Sequence, residues 1–154
     1  MPESFQQVAP IEMYRAKEKL LYRFISEVPV FAYDNQQTLS LNSCNVLIPC
    51  LEGLGIKYIL AILNSNVAAY FISKKFSSVK LLRSHIEQIP IPLVAADVQA
   101  SIIRKVDLIM SSSENRSELY KDLDNEIMEL FNLSKTNRNV IENALRGRNL
   151  FIEM

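Results

Sequence analysis

Basic side chains are the residues of this sequence with the clearest chemical potential, because they cluster beside aromatic and branched runs. One cluster precedes residue 24, a second follows residue 73, and no Asp or Glu occurs from Gly53 to Ile86. Such cations can hold phosphate groups while neighbouring polar side chains contact base edges. The alternative is that they are ordinary solvated side chains. The two clusters comprise Arg15, Lys17, Lys19, Arg23, Lys74, Lys75, Lys80 and Arg83, with Tyr14, Tyr22 and Phe76 interleaved.

Groups that would support catalysis or metal binding are sparse. Three glycines leave no glycine-rich phosphate loop, and His85 is the only histidine, so a catalytic triad or a histidine metal site is not expected. Cys44 and Cys50 are interpreted as reduced thiols. Four carboxylates are interpreted as the solvated face of an amphipathic helix: Asp122, Asp124, Glu126 and Glu129. The chain is therefore expected to have no catalytic role and no metal.

Length and composition bound the class of protein. The 154 residues predict one domain, or one domain with a helical extension, and 49% apolar residues suffice for a core. The net charge of zero gives no global reason to propose nucleic acid as a partner. The longest apolar run is too short to span a bilayer and no signal peptide is evident, which predicts a soluble, cytoplasmic protein.

The elements that position the basic residues are a small sheet and a buried helix. Residues 19–26, 28–33, 38–42 and 46–49 have the branched, aromatic or alternating character of strands. From residue 56 the chain is apolar on nearly every helical face, and Asn64-Ser65-Asn66 interrupts it with weak helix formers. Residues 89–92 must be extended because of their two prolines.

The C-terminal part is predicted to be helical. Asp97 is the expected N-cap of a helix whose apolar stripe continues past three serines to Leu130, as one kinked helix or two consecutive helices. Ser134 is expected to cap a last helix that ends at Gly147. Val140, Ile141 and Leu145 are expected to lie on one side of that helix.

The fold class predicted from these patterns is α+β: a small, mainly antiparallel sheet on a buried central helix, with a C-terminal helical extension. The expected organisation is an irregular lead-in (1–10), a body (11–96), a helical region (97–147) and a tail (148–154).

The order of elements resembles the TaqI-like C-terminal specificity domain. That domain is the target-recognition domain of adenine-specific DNA methyltransferases and type IIG restriction-modification enzymes. The chain is also similar, more distantly, to the recognition domains of type I specificity subunits. The resemblance rests on KLLYRFIS, VFAYD, LSLNSCNVLIP, KYILAILNSNVAAYFISKKF, IEQIPIP and DLDNEIMELFNLS. It implies a bacterial, non-catalytic module that recognises a sequence in double-stranded DNA. A separate domain of the parent enzyme would carry the Asn-Pro-Pro-Tyr motif and S-adenosylmethionine, neither of which this chain is expected to hold.

Under this resemblance Arg23 matches a basic residue of the first strand, and Lys74 and Lys75 match the basic end of the central helix. The alternative function is a helical interaction or self-association module that uses the stripe from Ile102 to Leu130 as its surface. The residues predicted to contact the DNA backbone are Lys17, Lys19, Arg23, Lys74, Lys75, Lys80 and Arg83.

Overall fold

A three-stranded antiparallel sheet and a set of helices form the protein in a computed structural model, which describes residues 9–40 and 43–146. The sheet has the order β2-β1-β3, with β1 pairing on both edges. The α+β prediction is therefore confirmed. The elements are α1 (Ile11–Tyr14), β1 (Lys19–Arg23), β2 (Phe31–Asp34), β3 (Cys44–Leu47), α2 (Ile56–Leu63), α3 (Asn66–Lys75), α4 (Arg83–Ile86), α5 (Ala96–Ser111), α6 (Arg116–Leu130) and α7 (Lys135–Ala144).

Three of the four predicted strands are found; β1 and β2 are shorter than predicted, and β3 begins two residues earlier than predicted. Alternation along β1 turns Leu20 and Tyr22 into the core, where Phe31 of β2 meets them. The predicted strand at 38–42 is wrong for residues 38–40, which form no strand, and residues 41 and 42 lie outside the described part. The Thr38 N–H and hydroxyl instead donate to the Asp34 carboxylate, which holds the start of this irregular segment against the end of β2.

The predicted central helix is two helices, α2 and α3, that meet at 57°. Residues 58–63 of α2 are all buried, as its apolar faces predict. Among the described residues no single helix is long and apolar enough to cross a membrane, and α2 with α3 meets those criteria only as this bent pair. Residues 89–92 contain no helix, which agrees with the prediction from their prolines.

The stripe after residue 97 belongs to two helices that fold back on each other. Lys105 Nζ of α5 lies 2.6 Å from Asp122 and 2.8 Å from Glu126 of α6. A continuous helix would separate Lys105 from Asp122 by about 25 Å. Asn115, with φ 58°, makes the turn. The N-cap of α5 is Ala95 rather than the predicted Asp97, which lies in the first turn instead.

Both helices of this hairpin are part of the same core as the sheet and α2. Ile102, Val106, Leu123 and Ile127 are buried in that core. The surface required by the alternative interaction hypothesis is therefore covered by the chain itself. The predicted division near residue 96 stays a prediction.

The last helix, α7, begins as the sequence predicts. Ser134 accepts a hydrogen bond from the Asn137 N–H, and Ile141 and Leu145 are buried. Val140 is 48% exposed, so its predicted place on the apolar side is wrong. The predicted end at Gly147 lies outside the described residues, as do most of the lead-in and the whole tail.

Candidate nucleic-acid interface

Residues 24–26, which follow β1, pair with a segment that follows α3. Ser26 N–H donates to Val79 C=O (3.0 Å) and Leu81 N–H donates to Phe24 C=O (2.8 Å), which pairs Ile25 with Lys80 in antiparallel register. This is the non-hydrogen-bonded kind of pair, in which the two side chains lie close on one face. Residues 79–81 thereby bring a cation of the second basic cluster to the strand that carries the first.

This short ribbon presents several exposed side chains. Leu81 is buried, whereas Arg23, Ile25, Lys80 and Leu82 are exposed. Cross-strand partners project to the same face of a ribbon, so Ile25 and Lys80 lie side by side, while Arg23 ends β1 just before a bend at Phe24. We call the four exposed residues the ribbon face. Lys80 Nζ also lies 6.0 Å from the centre of the Phe24 ring, a distance that permits a cation–π contact.

Arg83 of α4 adds a third cation close to this end of the sheet. Burial raises the pKa of the Tyr22 hydroxyl, while a hydrogen bond with Asn45 and the positive charge of Arg83 oppose that increase. Arg83 Nε also forms an exposed ion pair with Glu87 (2.7 Å), one helical turn away. A solvated pair of this kind is weak, so the guanidinium can exchange Glu87 for a phosphate at low cost.

Lys75 lies at the end of a stack of rings that joins α3 to α4. The Phe76 and His85 rings stack with centres 4.0 Å apart, and Lys75 Nζ lies 6.0 Å from the Phe76 ring and 5.1 Å from the Phe71 ring. His85 Nδ1 accepts a hydrogen bond from the Leu82 N–H (3.3 Å). The single histidine is therefore a packing residue that orients α4, and Arg83 with it.

Two predicted contacts lie apart from these cations. Lys17 is exposed before β1, at the opposite end of the strand from Arg23. Lys74 points its ammonium group at the Tyr70 ring (5.5 Å), and Tyr70 packs in the cluster that includes α7. Both remain predictions as DNA contacts.

Lys19 does not lie on the surface, and its predicted phosphate contact is wrong for this structure. Its side chain is fully buried, forms an ion pair with Asp34 and donates to the Tyr14 C=O (2.8 Å). Burial by itself raises the pKa of Asp34, but hydrogen bonds from Lys19, Thr38 and the Gln36 backbone lower it to about 2. The short helix α1 packs over this outer face of β1, where its Tyr14 C=O accepts the hydrogen bond from Lys19. No local pattern of charges in the sequence indicates this contact.

Asp124 is also misplaced by the sequence interpretation. The other carboxylates of its group are exposed or pair with Lys105, but Asp124 is buried and accepts the Asn66 N–H at the start of α3 (2.8 Å). Burial raises the pKa of Asp124 to about 6, against the lowering effect of the Asn66 hydrogen bonds. The position of Asp124 beside Leu123 in the apolar stripe is the feature of the sequence that could have predicted its burial.

No group of His, Cys, Asp and Glu within residues 9–40 and 43–146 is arranged to hold a metal ion. Cys44 and Cys50 are free thiols, and burial raises the pKa of Cys44 although the nearby Arg23 charge opposes this. The raised pKa of Cys44 favours its protonated form, which is a poor nucleophile and a poor metal ligand.

Fold and surface together define a small α+β domain with a cationic end. Residues 1–91, more than half of the chain, match the family of the TaqI-like C-terminal specificity domain. The chain belongs to this family and is a DNA-sequence specificity domain of the restriction-modification type. None of the curated proteins matches it.

Proposed function

We propose that this chain recognises a sequence in double-stranded DNA and positions a separate methyltransferase domain of its parent enzyme there. The observation that supports the proposal most is the convergence of Arg23, Lys80 and Arg83, from distant parts of the chain, at one end of the sheet. Long, exposed cations held on a rigid scaffold are suited to the phosphates that fix a protein's register on a duplex.

The proposed interface has a centre and a margin. Arg23, Lys80, Arg83 and Lys75 form the centre because two hydrogen-bonded segments and a ring stack hold their backbones in place. Lys17 and Lys74 belong to the margin. In this proposal Lys19 stabilises the fold and does not contact DNA.

The chain is proposed to be non-catalytic, with S-adenosylmethionine bound by the methyltransferase domain. The coding sequence that precedes residue 1 tests this part of the proposal. An Asn-Pro-Pro-Tyr motif with a glycine-rich cofactor loop is expected there or in a neighbouring gene. Its absence from both would contradict the proposal of a methyltransferase partner. DNA binding itself is tested separately, by fluorescence anisotropy.

Fluorescence anisotropy with a labelled duplex, over a range of salt concentrations, tests DNA binding directly. The affinity is expected to fall steeply with salt, because each phosphate contact releases a counterion. The neutral net charge predicts weak binding by the isolated chain. Binding that does not change with salt would favour apolar association instead, and would contradict the proposal.

A further inference from the structure

Exposed aliphatic side chains lie among the cations of the ribbon face. Ile25 is 62% exposed and Leu82 is 41% exposed. Single exposed aliphatic residues are common on protein surfaces and need no function. Ile25 differs because its cross-strand neighbour is Lys80 and because the exposed Arg23 lies two residues before it, so two cations lie near it.

We propose that Ile25 is a specificity-determining residue that packs against the 5-methyl group of a thymine in the major groove. This inference rests on the proposed function, and it adds the chemical group that the site recognises. Arg23 and Lys80 would hold phosphates on either side of that contact. The thymine methyl is the apolar group that a base pair presents in the major groove, and the groove admits a two-stranded ribbon.

The dimensions of the ribbon fit this assignment. Residues 24–26 and 79–81 form a narrow antiparallel pair. In its non-hydrogen-bonded register the Cβ atoms of Ile25 and Lys80 are about 4.5–5.5 Å apart. The Lys80 and Arg23 side chains are long and flexible enough to reach phosphates beside the strand. The short, branched Ile25 side chain contacts only what lies directly against the strand, and its β-branch keeps it in few rotamers.

Selection followed by removal of single methyl groups tests the proposal. The full chain would select duplexes from a random-sequence library at low salt, and each thymine of the selected duplex would then be replaced by deoxyuridine. Dissociation constants would be measured for the wild type, Ile25→Ala and the control Ile11→Ala. Ile11 receives the same substitution at similar exposure (48%) in α1, beyond the opposite end of β1.

One thymine is expected to respond. Loss of its methyl should weaken binding about fourfold for the wild type and for Ile11→Ala, and should leave Ile25→Ala unchanged. Far-ultraviolet circular dichroism would show that Ile25→Ala folds, as its exposure predicts.

Other results separate the two proposals. If a duplex is enriched but the loss of each thymine methyl changes the dissociation constants of the wild type and Ile25→Ala equally, this inference is overturned and the proposed function is left intact. Equal weakening of every duplex by Ile25→Ala would overturn it as well, because a general contact carries no specificity. Failure to enrich any duplex at low salt would overturn both.

Discussion

The side-chain amide of Asn64 hydrogen-bonds both backbone groups of Phe31. Its oxygen accepts the Phe31 N–H (2.9 Å) and its nitrogen donates to the Phe31 C=O (2.8 Å), all within the buried core. Asn64 thus completes the outer edge of β2 at the point where α2 ends. Its own C=O accepts a hydrogen bond from the Tyr120 hydroxyl (2.6 Å), which ties α6 to the same junction.

Replacement of Asn64 by alanine should therefore destabilise the whole domain. Asn64→Ala leaves two buried backbone groups without partners, and each costs about 1–3 kcal/mol, so the free energy of unfolding should fall by about 3 kcal/mol. Denaturant unfolding measures this change. The control is Asn139→Ala on the exposed side of α7, which should change stability by less than about 0.5 kcal/mol. Equal effects of the two substitutions would contradict the role of Asn64.

The same junction shows what the sequence could predict. Asn64, Ser65 and Asn66 are weak helix formers, and the helix does break there. Their partners could not be predicted, because Phe31 and Asp124 are 33 and 58 residues away along the chain from Asn64 and Asn66. Only Ser65, which caps α3 by accepting the Ala68 N–H, acts locally.

The same limit applies to the candidate interface. Basic residues are visible in a sequence, but their burial is decided by the elements that pack over them, as α1 does over Lys19. Arg23 and Lys80 could be predicted as cations of separate clusters. Their common surface depends on a β-bridge between residues 25 and 80, which neither cluster encodes by itself.

A second prediction concerns Lys19, whose loss should affect folding rather than binding. Lys19→Met leaves the Asp34 carboxylate buried without its cation, which should cost about 3–5 kcal/mol. Adding Asp34→Asn removes the unpaired charge and should restore part of that stability. The double variant should bind DNA with the salt dependence of the wild type. A weaker salt dependence in a fully stable Lys19→Met variant would instead return Lys19 to the interface.

Asp124 should make stability depend on pH. Its pKa of about 6 in the folded state exceeds the value of about 3.9 for an unfolded chain, so the folded state binds the proton more tightly. This contribution to stability is fully present below about pH 4 and is lost as the pH rises through about 6.

Asp124→Asn tests that dependence. The amide is neutral at every pH and keeps an oxygen for the Asn66 N–H, so the variant should be about 3 kcal/mol more stable than the wild type above pH 7. The difference should vanish near pH 4. Asp97→Asn, on an exposed residue in the first turn of α5, serves as the control. Parallel stability curves for the wild type and Asp124→Asn would contradict the assignment.

The last prediction separates phosphate contacts from general charge. Arg23→Ala combined with Lys80→Ala should weaken binding of every duplex alike and reduce the slope of log K against log salt by about 1.8, because two counterion-releasing contacts are lost. Arg104→Ala combined with Lys121→Ala removes the same charges from exposed positions of α5 and α6, and should leave the slope nearly unchanged. If both pairs reduce the slope equally, the duplex senses only the protein's total charge, and the ribbon face is not where it binds.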